Sequence, residues 1–253
     1  MAQLPDKVAI VTGTGSGIGR AICLALAAEG AKVACADIDM AGSRETADRI
    51  NRSGGAAMSI ECDVGADAAA QEAVERVWAE WGRLDVLVNN AAFFPQKARI
   101  TDLPLEEWER ALRVNIGGVF HMSRHAIPRM AQSGGGSIIH IASQMARVAD
   151  RLEAAYCTTK GALLNLAKAM AVDHAYEGIR VNTLSPGGIA TESMAIEWGS
   201  LERAEREWGQ AKHPVGRLGK PEEIAAAAVF LASPASSFMT GTDLLVDGGF
   251  TAL

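Results

Sequence analysis

Short runs of consecutive apolar residues alternate along this chain with longer stretches whose apolar positions recur at helical spacing. Val8-Ala9-Ile10-Val11 is the first run, and Ile18 to Ala28 then carries a helical period that stops at Gly30. Lys32 to Ala36 reads as a second strand ending in Asp37, and the polar helix over 41–52 is stopped by Gly54-Gly55. Strand 56–62, helix 67–81 and strand 84–88 follow. A long helix from Pro104 towards Ala131 precedes strand 137–141. Helix 154–176, strand 180–184, helix 221–231 and a last strand, 243–246, complete the series. The strand runs are apolar on both faces, as strands covered by helices on each side are. This alternation predicts the α/β class: a doubly wound parallel sheet, Rossmann-like, in a single domain over residues 1–253. Residues 187–219, rich in charge and tryptophan, interrupt the pattern and are expected to project as a loop with short helices, a substrate lid.

Composition narrows the function classes. A chain of 253 residues can bury a substantial core in one large domain. Its 49% hydrophobic and 21% charged content is ordinary for a soluble globular protein. A net charge of −6 argues against nucleic acid or an anionic membrane surface as partner. No apolar run approaches the roughly 20 residues of a membrane helix; the stretch Ile224 to Ala232 is short and alanine-rich. The start, Met-Ala-Gln-Leu-Pro-Asp-Lys, lacks the regions of a signal peptide, so a cytoplasmic location is expected. Cys23, Cys35, Cys62 and Cys157 fall in predicted helices or strands without ligand spacing, and read as buried free thiols. No histidine is placed to activate Cys157, and no metal is expected.

The chemistry concentrates at strand ends. Thr12-Gly13-Thr14-Gly15-Ser16-Gly17-Ile18-Gly19 lies between the first strand and first helix. The strict G-x-G-x-x-G spacing fails in every register. Gly13, Gly17 and Gly19 nevertheless permit a tight turn and close approach, and the helix start offers free N–H groups to a pyrophosphate. Asp37 stands 18 residues after Gly19, near the offset of about 20 at which a carboxylate meets the adenosine ribose. It would repel a 2′-phosphate, and neither Thr14 nor Ile38 is basic, so NAD is expected over NADP. Arg44, the nearest cation, is assigned to the solvated face of the next helix. Asp63 and Val64 follow the third strand, where they contact an adenine or where Asp63 caps the helix starting near Asp67. The asparagines of Asn89-Asn90-Ala91-Ala92 can satisfy neighbouring loop groups and so position a cofactor.

Tyr156 and Lys160 are four residues apart, which stacks a phenol and an ammonium on one helical face. A free tyrosine, with a pKa of about 10, is a poor base at neutral pH, and an adjacent cation favours its phenolate. Ser143 lies thirteen residues upstream of Tyr156. Alone, Ser143 reads as a strand-end cap and Asn115 as a buried helix residue.

Together these residues resemble the short-chain dehydrogenase/reductase family nearly end to end. Five ordered signatures carry the resemblance: Thr12-Gly13-x-x-x-Gly17-Ile18-Gly19, Asn89-Asn90-Ala91, Asn115 in Val114-Asn115-Ile116-Gly117, Ser143 with Tyr156-x-x-x-Lys160, and Pro186-Gly187-x-Ile189-x-Thr191. Ala92 departs from the family's usual glycine. The resemblance implies a catalytic set of Asn115, Ser143, Tyr156 and Lys160, with Tyr156 as acid and base. It implies a dinucleotide against Gly13, Ser16, Gly17, Ile18, Gly19, Asp37, Asp63, Val64, Asn90 and Ala91, and a nicotinamide near Ile189 and Thr191, with Tyr156 also at the cofactor and Lys160 holding the nicotinamide ribose. It places a small-molecule substrate near Phe93, Phe94, Gln96, Gln144, Met145, Arg147, Arg151, Met194, Trp198 and Trp208. Met and Trp at helical spacing also serve as packing, and arginines as solvated surface. His140 and His174 are expected at ordinary packing positions. The family also implies a homotetramer built on helices 104–131 and 154–176. The resulting expectation is an NAD-dependent oxidoreductase interconverting a secondary alcohol and a ketone. The rival readings are an NADPH-dependent 3-oxoacyl-thioester reductase and a dinucleotide-binding scaffold or sensor without chemistry.

Overall fold

The computed structural model describes residues 2–252. Seven strands form one sheet: β1 Val8–Thr12, β2 Lys32–Asp37, β3 Ala56–Glu61, β4 Val86–Asn89, β5 Gly136–Ile141, β6 Ile179–Pro186 and β7 Asp243–Val246. Their order is β3-β2-β1-β4-β5-β6-β7, and every pairing is parallel. The connections are helical: α1 Gly17–Ala28, α2 Met40–Arg52, α3 Asp67–Trp81, α4 Leu105–Leu112, α5 Gly118–Gln132 and α6 Ala154–His174. After β6 come α7 Glu192–Trp198, α8 Leu201–Ala204, α9 Gln210–Lys212 and α10 Pro221–Ala232. The sheet is doubly wound, and its order reverses between β1 and β4. In folds of this kind ligands enter the crevice outside the strand carboxyl ends at that reversal.

Alternating residues of each central strand enter two different cores. Val8 and Ile10 of β1 pack with Val74 and Val77 of α3, Met122 and Met130 of α5, and Ala167 of α6. Ala9 and Val11 pack on the opposite face with Ile22 and Leu26 of α1, Ile50 of α2, and Ile224 and Val229 of α10. The expectation of strands apolar on both faces holds for β1, β4 and β5 but fails at the edges. Most of β3 is partly or fully exposed, and β7 is half-buried throughout.

Two long helices differ from their expected form. The stretch from Leu105 to Gln132 contains a π turn at Arg113–Gly117, with Asn115 at its centre. The helix carrying Tyr156 ends at His174, and a 3₁₀ turn, Ala175–Glu177, leads into left-handed Gly178. His174 bonds Glu177 there rather than only packing. Cys62 lies just past β3, and Cys157 is half-buried while the other three thiols are buried. No described helix is long and apolar enough to cross a membrane.

The sheet's other end is anchored by a buried carboxylate. Asp85, 3% exposed, accepts from Arg83 through both oxygens at 2.7 Å, from Lys7 at 2.9 Å and from the Val8 N–H at 3.0 Å. Burial alone would raise its carboxyl, but the bonds from Arg83, Lys7 and Val8 outweigh that and hold it below the usual range.

Candidate active site

The turn after β1 is shaped by close backbone approach. Gly13 sits at φ +70°, and a methyl group at Gly19 would overlap the Gly13 carbonyl oxygen. Only glycine lets α1 begin this close to the strand. Asn90 closes the turn from the β4 side, its Nδ2 donating to the Thr12 and Gly13 carbonyls at 2.9 Å each. Thr12 Oγ1 accepts from the Asn90 and Ala91 N–H groups at 3.0 Å. Thr12 was not among the sequence candidates, although it opens the motif.

Ser16 precedes α1 with extended backbone, and its side chain makes no capping bond. The Gly17 N–H instead donates to Glu192 Oε2 of α7 at 3.1 Å, and Thr191 packs against Gly17. A free helix start has affinity for an anion, and here a carboxylate of the chain takes that place. Asp37, at the end of β2, accepts from the Gly15 N–H at 2.7 Å and the Asp39 N–H at 2.8 Å. Arg20, in the first turn of α1, bonds the Gly15 carbonyl and reaches Thr46 at 3.1 Å, so it is a nearer cation than the exposed Arg44. Asp63 does not cap α3, whose cap residue is Ala66 without a side-chain bond. Its carboxylate folds onto the Gly65 N–H at 2.8 Å and lies 3.5 Å from Arg113. Val64 is buried against Gly118, and its carbonyl meets His121 at 3.0 Å. Ile18 and Ala91 are half-buried beside the same turn, and Ile189, buried, pairs with Gly219.

Ser143 caps a short 3₁₀ turn after β5, accepting from the Met145 N–H at 3.1 Å. Asn115 is 1% exposed. Its amide holds the loop after β4 in both directions, accepting from Phe93 N–H at 2.7 Å and donating to Phe93 O at 2.9 Å. It also donates to Thr159 Oγ1 on α6 at 3.2 Å. The π turn thus supplies a fixed amide between the β4 loop and the tyrosine helix.

Lys160 is buried, and its ammonium donates to the Ile141 carbonyl at 2.7 Å. Its nitrogen stands 5.7 Å from the Tyr156 ring centre. Burial pulls the Lys160 ammonium down to about 8. Tyr156 itself is half-buried on α6. Burial therefore raises the phenol well above its ordinary value, Ser143 offsets part of the rise, and Glu153, Cys157 and Glu197 add to it. Lys160, expected to make the phenol more acidic, is not among the groups that lower it in this structure, where its ammonium is given to the Ile141 carbonyl. His140, fully buried, accepts at Nδ1 from Asn89 Nδ2 at 3.0 Å. Burial, with Lys160's charge second, drives His140 to about 3, so it is neutral.

Phe94 stacks on Tyr156 with ring centres 5.4 Å apart. Gln144, next to Ser143, is buried with its Oε1 unpartnered. Arg147 is paired with buried Asp243 at 2.7 Å and so is withdrawn from the substrate candidates. Arg151 is exposed, and Met194 and Trp198 are half-buried on α7. Trp198 packs on Trp208 at 5.9 Å, and Trp208 on Phe250 at 5.6 Å. His213 fixes this cluster by accepting from the Gly188 N–H at 3.0 Å. Among the described residues, no group of three or more His, Cys, Asp or Glu side chains is placed to hold a metal ion.

A family model described as enoyl-(acyl carrier protein) reductase matches residues 13–251. The D-threitol dehydrogenase of Mycolicibacterium smegmatis is 40% identical over 98% of this chain and 94% of its own length. A short-chain type dehydrogenase/reductase from Mycobacterium marinum superposes with a TM-score of 0.93 at 38% identity, covering 99% of this chain and 98% of that one. A putative NAD(P)-dependent gluconate 5-dehydrogenase from Beutenbergia cavernae, with NADP bound at low occupancy, gives 0.91 at 37% identity over 99% of each chain.

Proposed function

The chain belongs to the short-chain dehydrogenase/reductase family, and we propose that it uses Tyr156 as general acid and base with NAD as the preferred dinucleotide. It is an oxidoreductase that interconverts a secondary alcohol and a ketone. The observation that carries the residue assignment is the burial of Ser143, Asn115 and Lys160 at the carboxyl end of the sheet, with the Lys160 nitrogen 5.7 Å from the Tyr156 ring centre.

The dinucleotide fits the residues present. Gly17 already holds a carboxylate where a phosphate oxygen would be welcome, and Gly13 and Gly19 leave no room for side chains. Gly13, Ser16, Gly17, Ile18 and Gly19 would hold the pyrophosphate, Asp37 the adenosine ribose, and Asp63 and Val64 the adenine. Asn90, Ala91, Ile189 and Thr191 would line the nicotinamide half. When bound, the nicotinamide takes or gives the hydride.

The chain's own residues manage the proton. Tyr156 is kept protonated by burial, so its phenol gives a proton to the substrate oxygen as a carbonyl is reduced. Ser143 donates to the same oxygen and steadies the charge growing on it. In the oxidising direction the phenol must lose its proton first, and Lys160 is the cation within reach to favour that. Asn115 holds Phe93 and Thr159 in place, which fixes the β4 loop against α6. Phe94, Gln144, Arg151, Met194 and Trp198 would bound the substrate, under a lid formed by residues 187–219 of a single domain.

NAD rests on Asp37, whose charge opposes a 2′-phosphate. NADP is the second reading, since one solved relative holds it and Arg20 lies against Gly15. Four free thiols favour the reducing cytoplasm. Exposed Phe120 on α5, with Val172 on α6 and Tyr176 just beyond it, suits burial between subunits of a homotetramer. The test is absorbance of NADH across a panel of secondary alcohols, with Tyr156→Phe losing about a thousand-fold or more in turnover while still binding NAD. Retained turnover in that variant removes Tyr156 from its role.

A further inference from the structure

Lys97 lies three residues beyond Phe94, on the segment that leaves β4 and passes the Tyr156 ring. Its ammonium meets Glu153 Oε1 at 2.9 Å and Glu197 Oε1 at 2.6 Å. The two carboxylates come from different parts of the chain. Glu153 is the cap residue of α6, three residues before Tyr156, while Glu197 is near the end of α7. The backbone is tied at the same place, Ala98 N–H donating to Leu152 O at 3.1 Å and Ala98 bridging Glu153. Leu152 is held at φ +67°, a region that branched side chains avoid, so these contacts keep a strained turn in place. Burial alone would pull the Lys97 ammonium down, but its bonds to Glu197 and Glu153 outweigh that and hold it above the ordinary lysine value.

We propose that Lys97 is a positioning residue of this site: by bridging Glu153 and Glu197 it latches α7 across the substrate mouth beside Tyr156. The inference rests on the proposed roles of Tyr156 and of the 187–219 lid. Among the described residues, the Lys97–Glu197 contact is the one ion pair that α7 makes. The helix is otherwise held at its two ends, by Glu192 on Gly17 and by Trp198 on Trp208. Without the lysine, Glu153 and Glu197 would be two like charges facing across the mouth, and their repulsion would open it. Both carboxylates act on the Tyr156 phenol, as do Ser143 and Cys157, so the latch also fixes the charges around the reacting oxygen.

The test is hydrogen exchange across residues 192–198 in the NAD-bound full chain, alongside KM and kcat for an alcohol that it turns over. Lys97→Met should speed exchange there and raise KM about five-fold, with kcat within about two-fold, the size expected for two half-exposed ion pairs. Lys97→Arg should restore both, and so should the exchanged pair Lys97→Glu with Glu197→Lys, which keeps two acids and one base in the cluster. Unchanged exchange in Lys97→Met, an unmoved KM, or no recovery in the exchanged pair each overturns the latch. Because exchange needs no turnover, a Tyr156→Phe variant that remains active would remove the tyrosine's role without touching this result.

Discussion

Lys160 donates to the Ile141 carbonyl at 2.7 Å, so the amine nearest the phenol is engaged with the sheet rather than with Tyr156. That bond joins α6 to the end of β5 at the cost of burying an ammonium.

Lys160→Met should therefore stabilise the cofactor-free protein at neutral pH while abolishing turnover. The folded pKa of about 8 lies below the roughly 10.4 of free lysine. Between those values the unfolded chain holds a proton that the folded one has released, so wild-type stability rises with pH across that window. Below it the burial penalty is present in full. Thermal midpoints should show the variant ahead by several degrees at pH 7 and the gap closing by about pH 10. A variant less stable than wild type at pH 7 would contradict this account.

Asp85→Asn should cost about 3 kcal/mol at neutral pH, because it breaks a buried carboxylate's bonds to Arg83 and Lys7. The wild-type carboxyl is depressed, so its contribution is complete above the unfolded value of about 3.9 and fades as pH falls below it. Denaturant midpoints of the two proteins should converge in acid. Turnover at pH 7 should be unaffected, since Asp85 lies at the end of the sheet away from Tyr156; a gap that persists at pH 2 removes the carboxylate as its cause.

Asp37→Ala should lower the preference for NAD over NADP at least ten-fold in kcat/KM, about 1.4 kcal/mol. The change removes both an acceptor and a negative charge beside Gly15. An unchanged ratio would mean that Asp37 serves only to hold the Gly15 and Asp39 amides.

Glu192→Ala should tighten NAD binding about five-fold, since it frees the Gly17 N–H from a competing carboxylate. Fluorescence titration would measure it, and equal or weaker binding would show that Glu192 and the dinucleotide do not compete.

Elements governed by local pattern were legible in the sequence. Helix Asp67–Trp81 and strand Asp243–Val246 fall where periodicity puts them, and the alternation of strand and helix gives the parallel sheet. The grouping of Ser143, Tyr156, Lys160 and Asn115 was legible through family signatures rather than through periodicity. What stayed hidden depends on partners distant in sequence. The Lys97 ion pairs span 56 and 100 residues, and the Arg147–Asp243 pair spans 96. Nothing local in the sequence distinguishes an arginine bound to a buried carboxylate from one in water. The Lys160–Ile141 bond is hidden for the same reason, since a backbone carbonyl acceptor leaves no residue-type signature.

The wide turn at Arg113–Gly117 also makes the long helix sensitive to its own length. A plain α-helix advances about 100° per residue, so deleting one residue inside the bulge would regularise the backbone while rotating one flank against the other. Either Asn115 would swing away from Phe93 and Thr159, or α5 would lose its seat on the core. Point substitutions along this helix should prove far better tolerated than any single-codon gain or loss, which makes the irregularity a register mark.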